Sequence, residues 1–291
     1  MVSNNRKVFN FLTSVRFRDV VVSRSETIWE ESVQFLDIQR LERGVVRIAM
    51  NHSESRNAMG EALRGELLPT FEDLFLDISC RVIILASALK DFSVGGDLSR
   101  MDTLSNPKAG RQRLLSAHRL ARLLIAADKP MIAEVRGYAM GAGAGLALFC
   151  DTIVMGESAT LGFPFPKVGL APDFAIAHTL PRRIGFARAR QALLYARSFK
   201  ASEALAIGLA DDVVADDQVE AQAHAHAMEL AALPSHALAL TKRMLERSQD
   251  PLSVLDFEAT AQSLCFATED FREGVDAFRE KRKPGFDKDV V

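Results

Sequence analysis

Two glycine-rich segments of this chain contain residues that could do chemistry through their backbone. Residues 92–97 read Phe-Ser-Val-Gly-Gly-Asp, residues 137–145 read Gly-Tyr-Ala-Met-Gly-Ala-Gly-Ala-Gly, and each follows an apolar run. Small residues let the main chain approach a ligand closely, and paired N–H donors stabilise a developing oxyanion. The pattern therefore indicates the two halves of an oxyanion hole, a device suited to thioester chemistry.

The glycines do not match the common nucleotide-binding motifs. The dinucleotide fingerprint Gly-x-Gly-x-x-Gly fails because its third glycine would fall on Leu146, and the Gly-Lys-Ser/Thr of a phosphate loop is absent. Tight turns between strands and helices, with no ligand, are the remaining alternative.

Alternating strand and helix patterns predict the elements that position these segments. Apolar runs, most of them rich in β-branched residues, predict strands over 45–50, 81–86, 131–135 and 151–155. Helices are predicted over about 59–76 and 111–127, with a further short helix through 146–149. Strand, turn and helix repeating at this scale indicate an α/β domain whose site lies in the loops after the strands. From about residue 202 to 283 the pattern is helical without strands, which predicts a smaller helical region.

Composition excludes several classes of function. The chain of 291 residues is 48% apolar, with a net charge of -2, which gives no global reason to expect a nucleic-acid or membrane partner. Its cysteines, Cys80, Cys150 and Cys265, are widely spaced and form no CxxC pair. This spacing argues against a disulfide framework and a metal site, and for a reducing compartment. No apolar run reaches the roughly 18 residues of a membrane-spanning helix.

The N-terminus is basic. Among its first 25 residues the one acidic residue is Asp19, whereas the basic residues are Arg6, Lys7, Arg16, Arg18 and Arg24. Such a bias is typical of a basic extension, and also of an organelle transit peptide. We expect a cytoplasmic protein, with an organelle matrix as the alternative.

Seven segments of the chain form an ordered set at characteristic distances: 56–58, 92–98, 129–151, 168–172, 180–182, 204–214 and 271–283. Together they resemble the enoyl-CoA hydratase/isomerase family, also called the crotonase superfamily. The resemblance implies an α/β spiral of repeated ββα units over residues 36–233, after an N-terminal extension over 1–35. It further implies a helical oligomerisation region over 234–291, and a homotrimer or dimer of trimers. Coenzyme A would be part of the thioester substrate, with no prosthetic group.

The resemblance also assigns roles to individual residues. The N–H groups of Gly96 and Ala142 would form the oxyanion hole. Coenzyme A would be bound by two groups of residues. For Arg56 and Lys281 the alternative is a charged side chain that is solvated at the surface. Arg56, Ala58, Asp97 and Leu98 would contact the nucleotide within one subunit, and Phe278 and Lys281 would reach it from an adjacent subunit.

Two glutamates that hold and activate water in the family's hydratases are missing here. Their positions align with Gly145 and Phe165, so hydration by a glutamate pair is not expected. Phe163, Phe165 and Phe174 are predicted to line an apolar acyl pocket, and core packing is the alternative.

Asp173 and His118 are the remaining candidates for chemistry. Asp173 matches the catalytic aspartate of isomerases similar to dienoyl-CoA isomerase and the ring-epoxide isomerase of phenylacetyl-CoA breakdown. Apolar neighbours are expected to raise its pKa and suit it to proton transfer, and a helix N-cap is the alternative. His118 is predicted to point inward on a stripe with Leu114, Ala121 and Ile125. In proteins resembling 4-chlorobenzoyl-CoA dehalogenase, a histidine at the position of His118 serves as the base, and an aspartate at the position of Asp173 serves as the nucleophile.

These residues lead to one favoured function and three alternatives. The favoured one is proton transfer that shifts a double bond of an enoyl-CoA, with Asp173 as acid and base. A hydratase that uses Asp173 alone is the first alternative. A hydrolase-type or dehalogenase-type reaction with Asp173 as nucleophile and His118 activating water is the second. A protein that binds coenzyme A without catalysis is the third.

Overall fold

The main sheet has six strands in the order β1-β2-β3-β4-β6-β9. In this computed structural model, which describes residues 33–97, 107–246 and 251–286, β1 runs antiparallel to β2 and the other neighbours are parallel. Parallel pairing brings the carboxyl ends of β2, β3 and β4 to one edge, where the loops that follow them meet. The strands are β1 Leu36–Arg40, β2 Val45–Met50, β3 Val82–Ser87, β4 Met131–Val135, β6 Thr152–Gly156 and β9 Asp212–Val214.

A second, smaller sheet carries the glycine-rich segments. It has the order β5-β7-β8, with strands Tyr138–Met140, Thr160–Gly162 and Ser198–Lys200. Strand β5 runs parallel to β7, and an isolated bridge joins Ser93 to Ala139 in the same direction. The loop after β3 is thereby attached to this sheet.

Ten helices surround the two sheets in the described residues. Helix α7 covers one face of the main sheet with Val219, Ala223, Ala227 and Ala231, which are fully buried against Val45, Ile84 and Ile132. This i, i+4 spacing places small side chains on one stripe, so the helix lies close to the strands. The helices are α1 Glu61–Leu76, α2 Pro107–Ile125, α3 Ala142–Ala147, α4 Ile176–Ile184, α5 Phe186–Leu194, α6 Ala201–Ala206, α7 Val219–Ala231, α8 Ser235–Glu246, α9 Pro251–Phe266 and α10 Glu269–Glu280.

A buried ion pair lies under α7. Arg47 of β2 donates Nε to Glu134 Oε1 at 2.9 Å and Nη2 to Oε2 at 2.8 Å, across the intervening strand β3. Glu220 of α7 lies 3.3 Å from the same guanidinium. Such bidentate contacts are directional, so the pair joins β2 to β4 across β3, and Glu220 adds a contact from α7.

The predicted α/β fold with a helical C-terminal region is confirmed, but one strand was not predicted. Strand β9 lies inside the stretch that we expected to hold no strand, because an edge strand of three residues is too short for a pattern to reveal. The basic segment at the N-terminus and Leu98 lie outside the described residues. Among the described helices none is long and apolar enough to cross a bilayer, and no cluster of three potential metal ligands occurs there.

Candidate functional site

The two glycine-rich loops lie against each other. Ser93 N donates to Tyr138 O at 2.9 Å, and Met140 N donates to Ser93 O at 3.0 Å. A Cβ on Gly143 would lie 2.6 Å from Ser93 Cβ, and a Cβ on Gly95, whose φ is +100°, would lie 2.5 Å from Met140 O. Glycine is therefore required on both sides of this contact.

The contact leaves two amide donors free. Neither Gly96 N–H nor Ala142 N–H finds an acceptor among the described residues. Ala142 opens α3, so its N–H has no partner within the helix. The Cβ position of Gly95 lies only 3.7 Å from Ala142 N, which shows how close the two loops are here. Two unbonded donors from neighbouring loops are what an oxyanion hole requires.

Asn57 joins a third loop to this pair, a role that the sequence did not indicate. Its fully buried Nδ2 donates to Ser87 Oγ at 2.9 Å and to the carbonyls of Met50 and Phe92, both at 3.2 Å. Ser93 Oγ donates to Asn57 O at 2.6 Å. The backbone of Asn57 is left-handed, a conformation in which asparagine is enriched. An asparagine in a loop between buried strands was therefore the available signal.

Asp173 lies in the loop before α4, half-buried. Its Oδ1 is buried and has no hydrogen-bond partner in the described part of the chain. Burial raises the pKa of this carboxyl, while Arg113, its own backbone N–H, His118 and Arg64 act in the opposite direction. The N-cap of α4 is Ala175, without a side-chain cap. Asp173 therefore does not cap α4.

The backbone immediately after Asp173 is strained. Phe174 and Ala175 have φ values of +50° and +59°, a left-handed conformation that costs about 1–2 kcal/mol for a residue with a side chain. Packing holds them there, since Phe174 is 3% exposed and stacks edge-on against Phe149 at 5.3 Å. The aspartate is thus positioned by its main chain.

His118 lies at the edge of the buried face of α2, not at its centre. That face consists of Ala117, Leu120, Ala121 and Leu124, whereas Leu114 is 41% exposed. The predicted stripe through Leu114 and Ile125 is wrong in this respect, because the face that packs is rotated by about one residue. His118 still lies near enough to Asp173 to lower the pKa of its carboxyl.

The positions of the missing glutamates are occupied by apolar packing. A Cβ on Gly145 would lie 3.0 Å from Ile176 Cγ1 and 3.2 Å from Phe174 Cδ1, so a longer side chain would require these neighbours to shift. The Phe165 ring lies 3.7 Å from the Cβ position of Gly141, beside the start of α3. Phe165 thus lies next to the second glycine-rich loop. Phe163 is completely buried, as expected for core packing rather than for a pocket wall.

The residues assigned to coenzyme A are spread over two regions. Arg56 donates Nε to Asp91 Oδ2 at 3.1 Å while 59% of its side chain stays exposed, so its charge is partly neutralised. Ala58 is buried, and Asp97 is half-buried beside Gly96. Phe278, 85% exposed, and Lys281 lie at the end of α10 on the surface.

Two arginines near the site were not anticipated from the sequence. Arg113 Nη2 donates to Asp97 O at 3.1 Å, and Arg64 Nη1 donates to Met59 O. Arg64 lies in line with the buried face of α1, since Leu67 and Phe71 follow it at i+3 and i+7, and Arg113 precedes the buried Ala117 and Leu120 of α2 in the same way. A charged residue in line with an apolar stripe was the signal that could have found them.

Comparisons with known proteins agree with this geometry. The family model described as Enoyl-CoA hydratase/isomerase matches residues 40–289. The chain is 34% identical over 256 residues to 2,3-dehydroadipyl-CoA hydratase of Escherichia coli K12, covering 86% of this chain and 98% of that one. It is 32% identical over 254 residues to 1,2-epoxyphenylacetyl-CoA isomerase of the same organism, covering 86% and 97%. The crystal structure of enoyl-CoA hydratase from Bacillus anthracis has a TM-score of 0.82 at 29% identity, covering 87% and 99%.

Proposed function

Since the chain belongs to the enoyl-CoA hydratase/isomerase family, whose members act on coenzyme A thioesters, we propose that it transfers a proton within an enoyl-CoA and shifts its double bond. The observation that carries this proposal is Asp173, a carboxyl with a raised pKa and a buried Oδ1 that has no hydrogen-bond partner among the described residues. The hydratase glutamates are replaced by Gly145 and Phe165, and a longer side chain at Gly145 would require Ile176 to shift.

In the proposed mechanism the thioester carbonyl accepts hydrogen bonds from Gly96 and Ala142. Asp173 removes a proton from a carbon of the acyl chain, and the electron pair of that C–H bond delocalises into the carbonyl as an enolate. The two N–H donors stabilise the negative oxygen. The protonated Asp173 then returns a proton to a different carbon, and the double bond shifts with no net change in composition.

The raised pKa of Asp173 supports both halves of this cycle. A general base works best when its pKa lies near the operating pH, because it must accept a proton and also give it back. Phe165 beside the oxyanion loop disfavours water there, which favours isomerisation over hydration.

We also propose that Arg56, Ala58, Asp97 and Leu98 bind the nucleotide part of coenzyme A, with Phe278 and Lys281 contributed by an adjacent subunit of a trimer or dimer of trimers. The surface position of Phe278 supports this proposal, since a large apolar side chain is left exposed at the end of α10.

The test is isotope exchange with a panel of enoyl-CoA thioesters in deuterated water. We expect deuterium in the carbon skeleton with the native protein, loss of at least about 100-fold in Asp173→Asn, and no change in the exposed control Asp217→Asn. Absence of both deuterium exchange and a shifted double bond with every thioester would refute the isomerase. A gain of water would instead indicate the hydratase, and a covalent adduct on Asp173 the nucleophilic reaction that its proximity to His118 permits. Binding without any turnover would indicate a protein that only binds coenzyme A.

A further inference from the structure

Two half-buried arginines are attached to the backbone on either side of the Gly95–Gly96 turn. Arg113 of α2 donates Nη2 to Asp97 O at 3.1 Å, one residue after Gly96. Arg64 of α1 donates Nη1 to Met59 O, and Met59 N in turn donates to Gly95 O at 2.7 Å. Helices α1 and α2 pack together. Both guanidinium groups are thus fixed beside the proposed oxyanion hole.

Neither guanidinium forms an ion pair with a carboxylate of the described residues. Arg64 Nε is buried and lacks a hydrogen-bond partner there. The pKa of Arg64 is lowered, first by burial and then by the charge of Arg113, while exposed Glu61 and Asp173 act in the opposite direction. Two like charges held together and partly desolvated are unfavourable unless an anion lies between them.

The surroundings place these cations on the acyl side of the site. Both arginines, together with His118, influence the pKa of Asp173, and Asp173 must reach a carbon of the acyl group if it is to move a proton. Asp173 forms no ion pair with either arginine in the described residues, and its buried Oδ1 has no hydrogen-bond partner there. An anionic group of the substrate can therefore approach the two guanidiniums near the reacting carbons.

We propose that Arg64 and Arg113 bind a carboxylate carried by the acyl chain, so that the enzyme selects carboxyacyl-CoA thioesters over uncharged ones. This inference rests on the proposed function, which supplies the coenzyme A thioester as the substrate. Guanidinium groups suit a carboxylate because their planar N–H donors match its two oxygens. One Nη of each arginine donates to a backbone carbonyl. The other N–H groups of the two side chains are available to the carboxylate.

The first experiment needs no mutation. We compare an enoyl-CoA that ends in a carboxylate with its methyl ester of the same chain length, on the native protein. We expect kcat/KM to be about 10- to 100-fold higher for the acid, the range of a hydrogen bond to a charged group. Equal rates, or a preference for the ester, would overturn the proposal.

Variants then assign the preference to the two arginines. In Arg64→Gln and Arg113→Gln we expect the acid-to-ester ratio of kcat/KM to fall by about tenfold or more. Arg119→Gln, an exposed arginine of the same helix α2, should leave the ratio unchanged. Equal losses for acid and ester would overturn the proposal and indicate contact with the coenzyme A phosphates.

Binding separates this inference from the proposed function. Saturated carboxyacyl-CoA and its methyl ester cannot isomerise, so calorimetric titration measures their affinity without turnover. Tighter binding of the acid by about tenfold, lost in the arginine variants, would support the carboxylate site even if no isotope exchange occurred. Equal affinity of acid and ester would overturn it even if Asp173 catalysed the exchange.

Discussion

The Asp173 carboxyl is held through its main chain and not by hydrogen bonds of its Oδ1. Two left-handed residues follow it, and the neighbouring cations Arg113 and Arg64 only partly offset the burial of its charge. A carboxyl in this state can gain and lose a proton without breaking a structural contact. This property suits a proton-transfer residue, and it makes the ionised form unfavourable for stability.

Asp173 should therefore make the stability of the protein depend on pH. Because its pKa is raised on folding, the folded state binds this proton more tightly, and stability is lost as pH rises from the unfolded pKa through the folded one. We expect Asp173→Asn to raise Tm at pH 8 by about 2–4 °C, which corresponds to ~1 kcal/mol. The difference should vanish near pH 3, below the ordinary pKa of about 3.9. Calorimetry across this range measures it, and a variant less stable than the native protein at pH 8 would contradict it.

The sequence revealed Asp173 and missed the two arginines for a physical reason. Asp173 belongs to a local motif of five residues, 169–173, that can be read without knowing the fold. Arg64 and Arg113 are 49 positions apart and meet only because α1 packs on α2. Their positions in line with apolar stripes were visible, but nothing local indicates that two such residues converge.

At the scale of elements, the geometry of the proposed oxyanion hole depends on how closely α3 approaches the loop after β3. Gly143 lies at a tight point of this contact, with Ser93 Oγ 2.6 Å from the position of an added Cβ. The start of α3 carries the Ala142 donor, so any shift of the helix moves that donor as well.

We expect Gly143→Ala to lower kcat/KM by about 100-fold or more, the effect of losing one oxyanion donor. Gly65→Ala is the matched control, because a Cβ there meets nothing within 4 Å. Because Gly65 lies in the interior of α1, Gly65→Ala should stabilise the protein by about 0.5–1 kcal/mol and leave kcat/KM unchanged. Steady-state kinetics and thermal unfolding measure both variants. Full activity in Gly143→Ala would show that the loop contact does not position the donors.

The sheet elements were largely predictable, and their ends less so. The runs at 45–50 and 131–135 coincide with β2 and β4, since buried parallel strands are continuous apolar segments. The predicted start of α2 was four residues late, because Pro107 is accepted in a first helical turn where its missing N–H has no cost. Strand β9 exists through its pairing with β6, which the local pattern does not encode.

At the scale of the whole molecule, the C-terminal helices leave apolar side chains uncovered. Leu255, Leu264, Phe266 and Phe278 are each more than half exposed, up to 85% for Phe278. Exposed apolar residues in such numbers on α9 and α10 are typical of a surface that binds another protein. This surface agrees with the proposed assembly of three or six copies.

We expect sedimentation to give the mass of a trimer or hexamer.

We expect Phe278→Ser to weaken binding of the nucleotide part of coenzyme A. For Phe278→Ser, KM should rise about tenfold with a coenzyme A thioester, since one stacked aromatic contact contributes on the order of 1–3 kcal/mol. It should not change with the matching pantetheine thioester, which lacks the nucleotide. Phe186→Ser, which alters an equally isolated surface phenylalanine on α5, is the control. A monomer, or equal effects on both thioesters, would contradict this role.

The hydrogen bonds between Ser93 and the β5 strand also determine when the site is assembled. With Asn57 they connect the loops after β2, β3 and β5 to both sheets. The two donors cannot move apart unless this ladder opens. Folding therefore supplies the free energy that aligns the donors, and substrate binding does not have to. Heat should leave the catalytic geometry intact until the sheets themselves separate.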